Sequence, residues 1–254
     1  MIIKVVVTVV LLVLGALGVK LRLHEKLNPM LVCAVGFVVL AYGHYLGLFA
    51  SPEEAMMREV GRIFHVHVPT ALVALFTYLI AFILAVGSLW TGARKWDAYL
   101  EATLEVGILL NVLLTIQGSI WARPTWGIWW TWDPRLTTTA IMVLSFVGVL
   151  LLRNAITNPE RRATITATGG VVAFVNVPIV YMSVRWWRSL HQTQSSPETV
   201  SPEFQLPFRI AAFGMLFITV GFILARGRIA LKRLEAEADA PDLPDLNTVK
   251  PLDV

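Results

Sequence analysis

Six apolar runs, at about 30–50, 66–90, 101–121, 137–152, 163–184 and 206–225, constrain this chain more than any other feature. Each approaches or meets the roughly 17–25 residues that a helix needs to cross the hydrocarbon core of a bilayer. In lipid the backbone must satisfy its own N–H and C=O groups, and runs of this length do so as helices. Only 15% of the 254 residues are charged, 56% are hydrophobic and the mean hydropathy is +0.68, whereas a soluble domain carries about 25% charged residues. The expected fold is an all-α integral membrane protein, a polytopic helical bundle with the lipid bilayer as its surroundings.

The ends differ from this bundle, which occupies 30–225. Residues 1–19 form a further apolar segment led by Lys4, which fits an additional N-terminal span or a signal-like segment. Lys20 and Arg22 follow it directly, as they would at a cytoplasmic stop, and favour the span. From 226 to 254 a basic stretch gives way to acids and prolines with no aromatic residue, which predicts a disordered cytoplasmic tail. The single Cys33 excludes an intramolecular disulfide and a Cys-based metal site. No GxxxxGK[ST], HExxH or GxSxG sequence occurs, nor any extended basic surface for nucleic acid.

Lysines and arginines orient the spans. One set of connections carries Lys20, Arg22, Lys26, Arg94, Lys95, Arg153, Arg161, Arg162, Arg226, Arg228, Lys232, Arg233 and Lys250, thirteen cations, against six in the other: Arg58, Arg62, Arg123, Arg135, Arg185 and Arg188. The richer set belongs in the cytoplasm. The loop 122–137, the segment 51–65 and the segment 185–205 then share the outer face.

That loop is the most distinctive stretch. Trp126, Trp129, Trp130 and Trp132 are followed by Asp133 and Arg135, between two membrane-spanning runs. Tryptophan collects at membrane interfaces whatever a protein does, but anchoring does not call for an acid and a base at the end of the cluster. A large flat ligand with polar edges does. All six outer cations are arginines, whose planar fork suits bidentate carboxylate binding. Arg123 and Arg135 bracket the tryptophans, and Arg185 and Arg188 flank Trp186 and Trp187.

Histidines complete the set. His24 falls in an inner loop and His44 within a span; His65, His67 and His191 fall at the outer face. His65 and His67 are two apart and cannot point the same way on a helix, so one of them is expected to serve. Pro69 is expected in the first turn of that helix, where proline is tolerated. Trp187 and His191, four apart, share a helical face. Imidazole is a common axial ligand of haem iron, tryptophan covers a porphyrin face and arginine pairs with propionates.

The residues 126–137, WGIWWTWDPRLT, resemble the WWD signature of the haem-handling proteins of cytochrome c maturation, and the Arg135-Leu136-Thr137 ending is similar to the CcmC family. His67-Val68-Pro69 and the stretch from Ser183 to Gln192 are similar to its two outer-face histidine motifs, and the resemblance runs from about residue 30 to 225. It implies six family-like spans, with the segment at 1–19 an addition. It also implies that haem b (iron protoporphyrin IX) is bound at the periplasmic face of the bacterial plasma membrane, with His67 and His191 as axial ligands. The loop would be both platform and partner surface for the haem chaperone CcmE. CcmD and the transporter subunits CcmA and CcmB would be further partners, with ATP hydrolysis outside this chain. Two other classes use similar residues. A WWD-type haem lyase needs a second histidine pair within the membrane, where only His44 is found. A b-type electron-transfer cytochrome buries paired histidines on facing helices.

Overall fold

The computed structural model describes residues 23–192 and 200–239. The segment 1–19 and the chain beyond Asp239 lie outside the described residues, and the expected N-terminal span falls there. After a helical turn at Leu23–Lys26, α1 (Pro29–Tyr45) continues through a π-helical turn, Leu46–Ala50. A 3-10 turn, Glu59–Ile63, leads into α2 (Phe64–Thr91), followed by α3 (Arg94–Trp126), α4 (Pro134–Asn154), α5 (Pro159–Phe174), α6 (Asn176–Trp186) and α7 (Pro202–Asp239). Among the described residues, six helical segments are long and apolar enough to cross a membrane, α5 and α6 together making one of them.

Local chemistry explains where these helices begin and break. α1, α4 and α5 each start with an Asn or Asp cap followed by proline: Asn28-Pro29, Asp133-Pro134 and Asn158-Pro159. The cap side chain accepts from N–H groups of the first turn, and proline at the next position has no N–H to leave unpaired. The break at Val175 follows from Pro178, which has no N–H to return to the Phe174 carbonyl. There the Asn176 side-chain amide donates to the Ala173 carbonyl instead, at 3.1 Å.

Without water between helices, close packing of small residues must hold a bundle together. α1 lies against α7 along a glycine seam. A Cβ on Gly43 would stand 2.5 Å from the Ala211 nitrogen, and one on Gly214 would stand 2.4 Å from that of Leu40, so no larger residue permits this approach. The main apolar core joins α2 through α6 around Tyr78, Leu100, Leu104, Met142 and Phe146, with Tyr78 stacked on Phe146 at 3.8 Å.

Four sequence expectations are corrected. Trp187 and His191 do not share a helical face, because α6 ends at Trp186 and Trp187 is extended. Arg153 is not a loop cation: it is 1% exposed and holds Asp97 at 2.6 Å, Glu101 at 2.7 Å and the Thr166 hydroxyl at 3.1 Å. The disordered tail does not start at 226, because α7 runs to Asp239. Its extension is rich in helix formers and is tied down by Arg226–Glu105, Arg233–Glu101 and Arg162–Glu237 pairs. Pro69 is not in the first turn but inside α2, since the helix starts earlier, at Phe64.

Alternation of the spans brings the start of α2, the end of α3, the start of α4 and the end of α6 to one end of the bundle. That end carries the tryptophan loop. The Arg153 cluster sits at the other.

Candidate functional site

The tryptophan loop is built by two terminators facing each other. α3 ends at Trp126 because Gly127 takes a left-handed conformation, φ 79°, and returns its N–H to the Arg123 carbonyl at 3.0 Å. This conformation is natural for glycine and costly for other residues. The Arg123 guanidinium in turn donates to the Gly127 carbonyl. α4 then starts on Asp133, whose Oδ1 accepts from the N–H groups of Arg135 at 3.0 Å and Leu136 at 3.1 Å.

Asp133 also joins this loop to the distant segment 189–191. Its Oδ2 accepts from the Ser189 hydroxyl and from the Leu190 N–H at 2.9 Å. Nδ1 of His191 lies 3.3 Å from Oδ1, off line for a full hydrogen bond but close enough to pair. The carboxyl is 8% exposed. Burial presses its pKa up, yet the bonds from Ser189, Leu136 and Leu190, with His191 alongside, hold it below the usual value. Burial pushes the His191 imidazole below its ordinary value, with Asp133 opposing and Arg135 reinforcing the shift. A neutral imidazole is the form that binds metal.

Between these elements lies a cleft open to solvent. His67, Ala71 and Leu75 line it from one face of α2, at four-residue steps. On α3 the lining descends from Trp126 through Ala122, Ser119 and Thr115 to Asn111, about 22 Å at 1.5 Å per residue. Arg135, Thr139 and Met142 of α4 form a further wall, and Trp129, Trp130 and His191 complete the mouth. The His67 ring meets Trp121 edge-on at 5.4 Å, and His191 meets Trp126 edge-on at 4.9 Å.

The cleft thus gathers His67, His191, Trp126, Trp129, Trp130 and Arg135, with Asp133 behind them. It does not gather Arg123, whose guanidinium closes the end of α3, nor Arg185, Arg188, Trp186 and Trp187, which are exposed outside it. Trp132 is 74% exposed and packs edge-on against Trp130 at 5.6 Å. Of the paired histidines, His67 faces the cleft. His65 is turned away and fully buried between Phe64 and Phe204, over Gly47.

Sequence reasoning missed Asn111, Thr115 and Ser119. Their four-residue spacing inside an apolar run marks a polar helix face, a signal present in the sequence. Thr115 and Thr139 turn their hydroxyls back to their own helices, onto the Asn111 and Arg135 carbonyls at 2.8 Å and 2.7 Å. The Asn111 amide nitrogen is likewise bonded to the Gly107 carbonyl at 2.9 Å. His67 Nδ1 and Arg135 Nη1 are left buried and without partners, while Asn111 faces the Tyr78 hydroxyl. Buried polar atoms are rarely left so, and both side chains line the cleft.

The residues fit an iron porphyrin: two imidazoles with Nδ1 shut away, aromatic walls, and one arginine with an unpartnered donor. Fold and cleft together define a multi-pass helical membrane protein with a histidine- and tryptophan-lined receptor at one end of its bundle.

The chain belongs to the CcmC family, Heme exporter protein C, whose profile matches residues 10–241. Its members are multi-span components of haem export in cytochrome c biogenesis. It is 31% identical to Heme exporter protein C of Bradyrhizobium diazoefficiens over 222 residues, 85% of this chain and 84% of that one. It is 31% identical to the Escherichia coli K12 protein of that name over 229 residues, 87% and 92% of the two chains. It is 30% identical to that of Haemophilus influenzae over 220 residues, 85% and 89%.

Proposed function

We propose that this chain holds haem b in the cleft, at the periplasmic face of the plasma membrane, and delivers it to the chaperone CcmE for c-type cytochrome assembly. The observation that carries this reading is the convergence of His67 and His191 on one aromatic cleft from separate elements. Both imidazoles would ligate through Nε2, since Nδ1 of each ring is buried. Trp126, Trp129 and Trp130 would cover the ring. Arg135 would take a propionate, its unpartnered Nη1 being the donor at hand. Asp133 serves the site by tying both loops together and holding His191.

The residues outside the cleft take the second half of the task. Trp132, Trp186 and Trp187 present apolar surface beside its mouth, and Arg123, Arg185 and Arg188 surround them with charge. Aromatic residues and arginine are the side chains most enriched at interface hot spots, and this rim would receive the chaperone. CcmD and the CcmA–CcmB pair would complete the assembly, with ATP hydrolysed outside this chain. The excess of lysine and arginine in the opposite connections supports the periplasmic orientation.

Cysteine labelling tests the orientation. A cysteine placed at Thr125 is modified from outside intact cells and one at Thr157 is spared; the reverse pattern would move the cleft to the cytoplasm and end this reading.

A further inference from the structure

The two histidines of the cleft are supported unequally. Behind His191 stands Asp133, 3.3 Å from Nδ1. That carboxylate is itself fixed by the Arg135, Leu136 and Leu190 N–H groups and the Ser189 hydroxyl. The same Ser189 oxygen accepts the backbone N–H of His191 at 3.0 Å. Ring and main chain are therefore held by one network anchored in the first turn of α4.

Behind His67 there is nothing comparable. Its Nδ1 is buried with no partner. The ring is placed by shape alone: Trp121 lies edge-on at 5.4 Å, and a Cβ on Gly118 would stand 3.1 Å from its Cε1. A metal-bound imidazole usually donates its second N–H to a carboxylate or carbonyl, which orients the ring and makes it a stronger donor. His191 has a carboxylate 3.3 Å from Nδ1, off line for a full hydrogen bond, and His67 has none.

We infer that the two ligands are inequivalent: His191, backed by Asp133, is the anchor of the haem, and His67 is the ligand that yields first when the haem leaves. This rests on the haem-holding reading above. On release His67 would let go through Nε2, keeping its lone pair and requiring no change of oxidation state, while His191 would keep its hold from the loop side. Asp133 is a positioning residue, acting on the iron through His191.

The test uses full-length protein purified in detergent from haem-replete cells, comparing His67→Gly, His191→Gly and Asp133→Asn. Haem content, spin state and reduction potential are the readouts. The His67→Gly protein is expected to keep most of its haem as a five-coordinate, high-spin species. The His191→Gly protein is expected to retain haem more weakly by a large factor. Asp133→Asn preserves a capable helix cap but removes the charge behind His191. Its expected effect is roughly 10- to 100-fold weaker retention, typical for loss of such a partner, with a raised reduction potential, and Asp133→Glu restores both in part. The glycine pair decides the matter even if the Asp133 variants fail to fold. Equal losses in His67→Gly and His191→Gly, or a greater loss in the former, overturn the inequivalence while leaving the haem site standing. Undiminished haem with unchanged spectra in both removes the haem assignment itself.

Discussion

The two ends of the bundle treat buried polarity in opposite ways. At the Arg153 end the guanidinium donates to Asp97, Glu101 and Thr166, and Glu101 is shared with Arg233. At the tryptophan end, His67 Nδ1 and Arg135 Nη1 are buried with no partner. An ion cluster whose partners are all in place is a strut: it fixes α3, α4, α5 and α7 against one another. Under the proposed function the open cleft is the receptor, with Arg135 Nη1 free to donate to what it holds. One end keeps its geometry so that the other can be open.

The largest expected effect breaks the strut. Arg153→Ala leaves Asp97 and Glu101 buried beside an empty space, and loss of one partner of a buried pair costs about 3–5 kcal/mol. Thermal unfolding in detergent should show a large drop in Tm, or the protein should fail to accumulate, while any folded fraction keeps a wild-type haem spectrum. A Tm within error of wild type would mean that this cluster does not brace the bundle.

The next effect falls on the receptor. Arg135→Ala should weaken haem retention by about 1.5–3 kcal/mol, the range for a hydrogen bond to a charged group, and leave Tm nearly unchanged. Arg185→Ala and Arg188→Ala, outside the cleft, should leave retention intact. Titration of haem into the three apoproteins measures the difference; equal losses would mean that the rim and the wall act as one surface.

Smaller in energy is a separation of holding from delivery. Trp132→Ala should keep haem ligation yet reduce co-purification of the chaperone, because this side chain is exposed beside the cleft and does not line it. Parallel loss of haem and chaperone would make the loop indivisible. The smallest stability effect is expected at the cleft floor. Asn111→Leu removes an amide bonded to the Gly107 carbonyl and facing the Tyr78 hydroxyl, so Tm should fall by about what 1 kcal/mol would produce, whereas the same kind of change at Glu101 should be severely destabilising.

Much of this arrangement is legible in the sequence where the signal is local. Run length identifies the spans, the Asn-Pro and Asp-Pro pairs announce three helix starts, and the spacing of His65 and His67 requires them to face different ways, as they do. What is not legible depends on partners far apart in the chain. Asp133 meets Ser189 and Leu190 across more than fifty positions, so no spacing rule links it to His191. The continuation of α7 past Arg226 depends on Glu105, Glu101 and Arg162, and composition alone reads as tail. Arg123 sits beside the tryptophans in sequence, yet its guanidinium is committed to the Gly127 carbonyl, a detail set by the geometry of one helix end. The break between α5 and α6 lies inside an apolar run, where Asn176 and Pro178 are its signal in the sequence.

The central claim is that His67 and His191 together hold iron porphyrin in the cleft. The visible absorption spectrum of the full chain, purified in detergent with its chaperone, tests it most directly when recorded beside the His67→Ala/His191→Ala double variant and a His44→Ala control. A Soret band is expected in the wild type and in the control, and none in the double variant when that variant is shown to be folded. A folded double variant with an unchanged Soret band would contradict the claim.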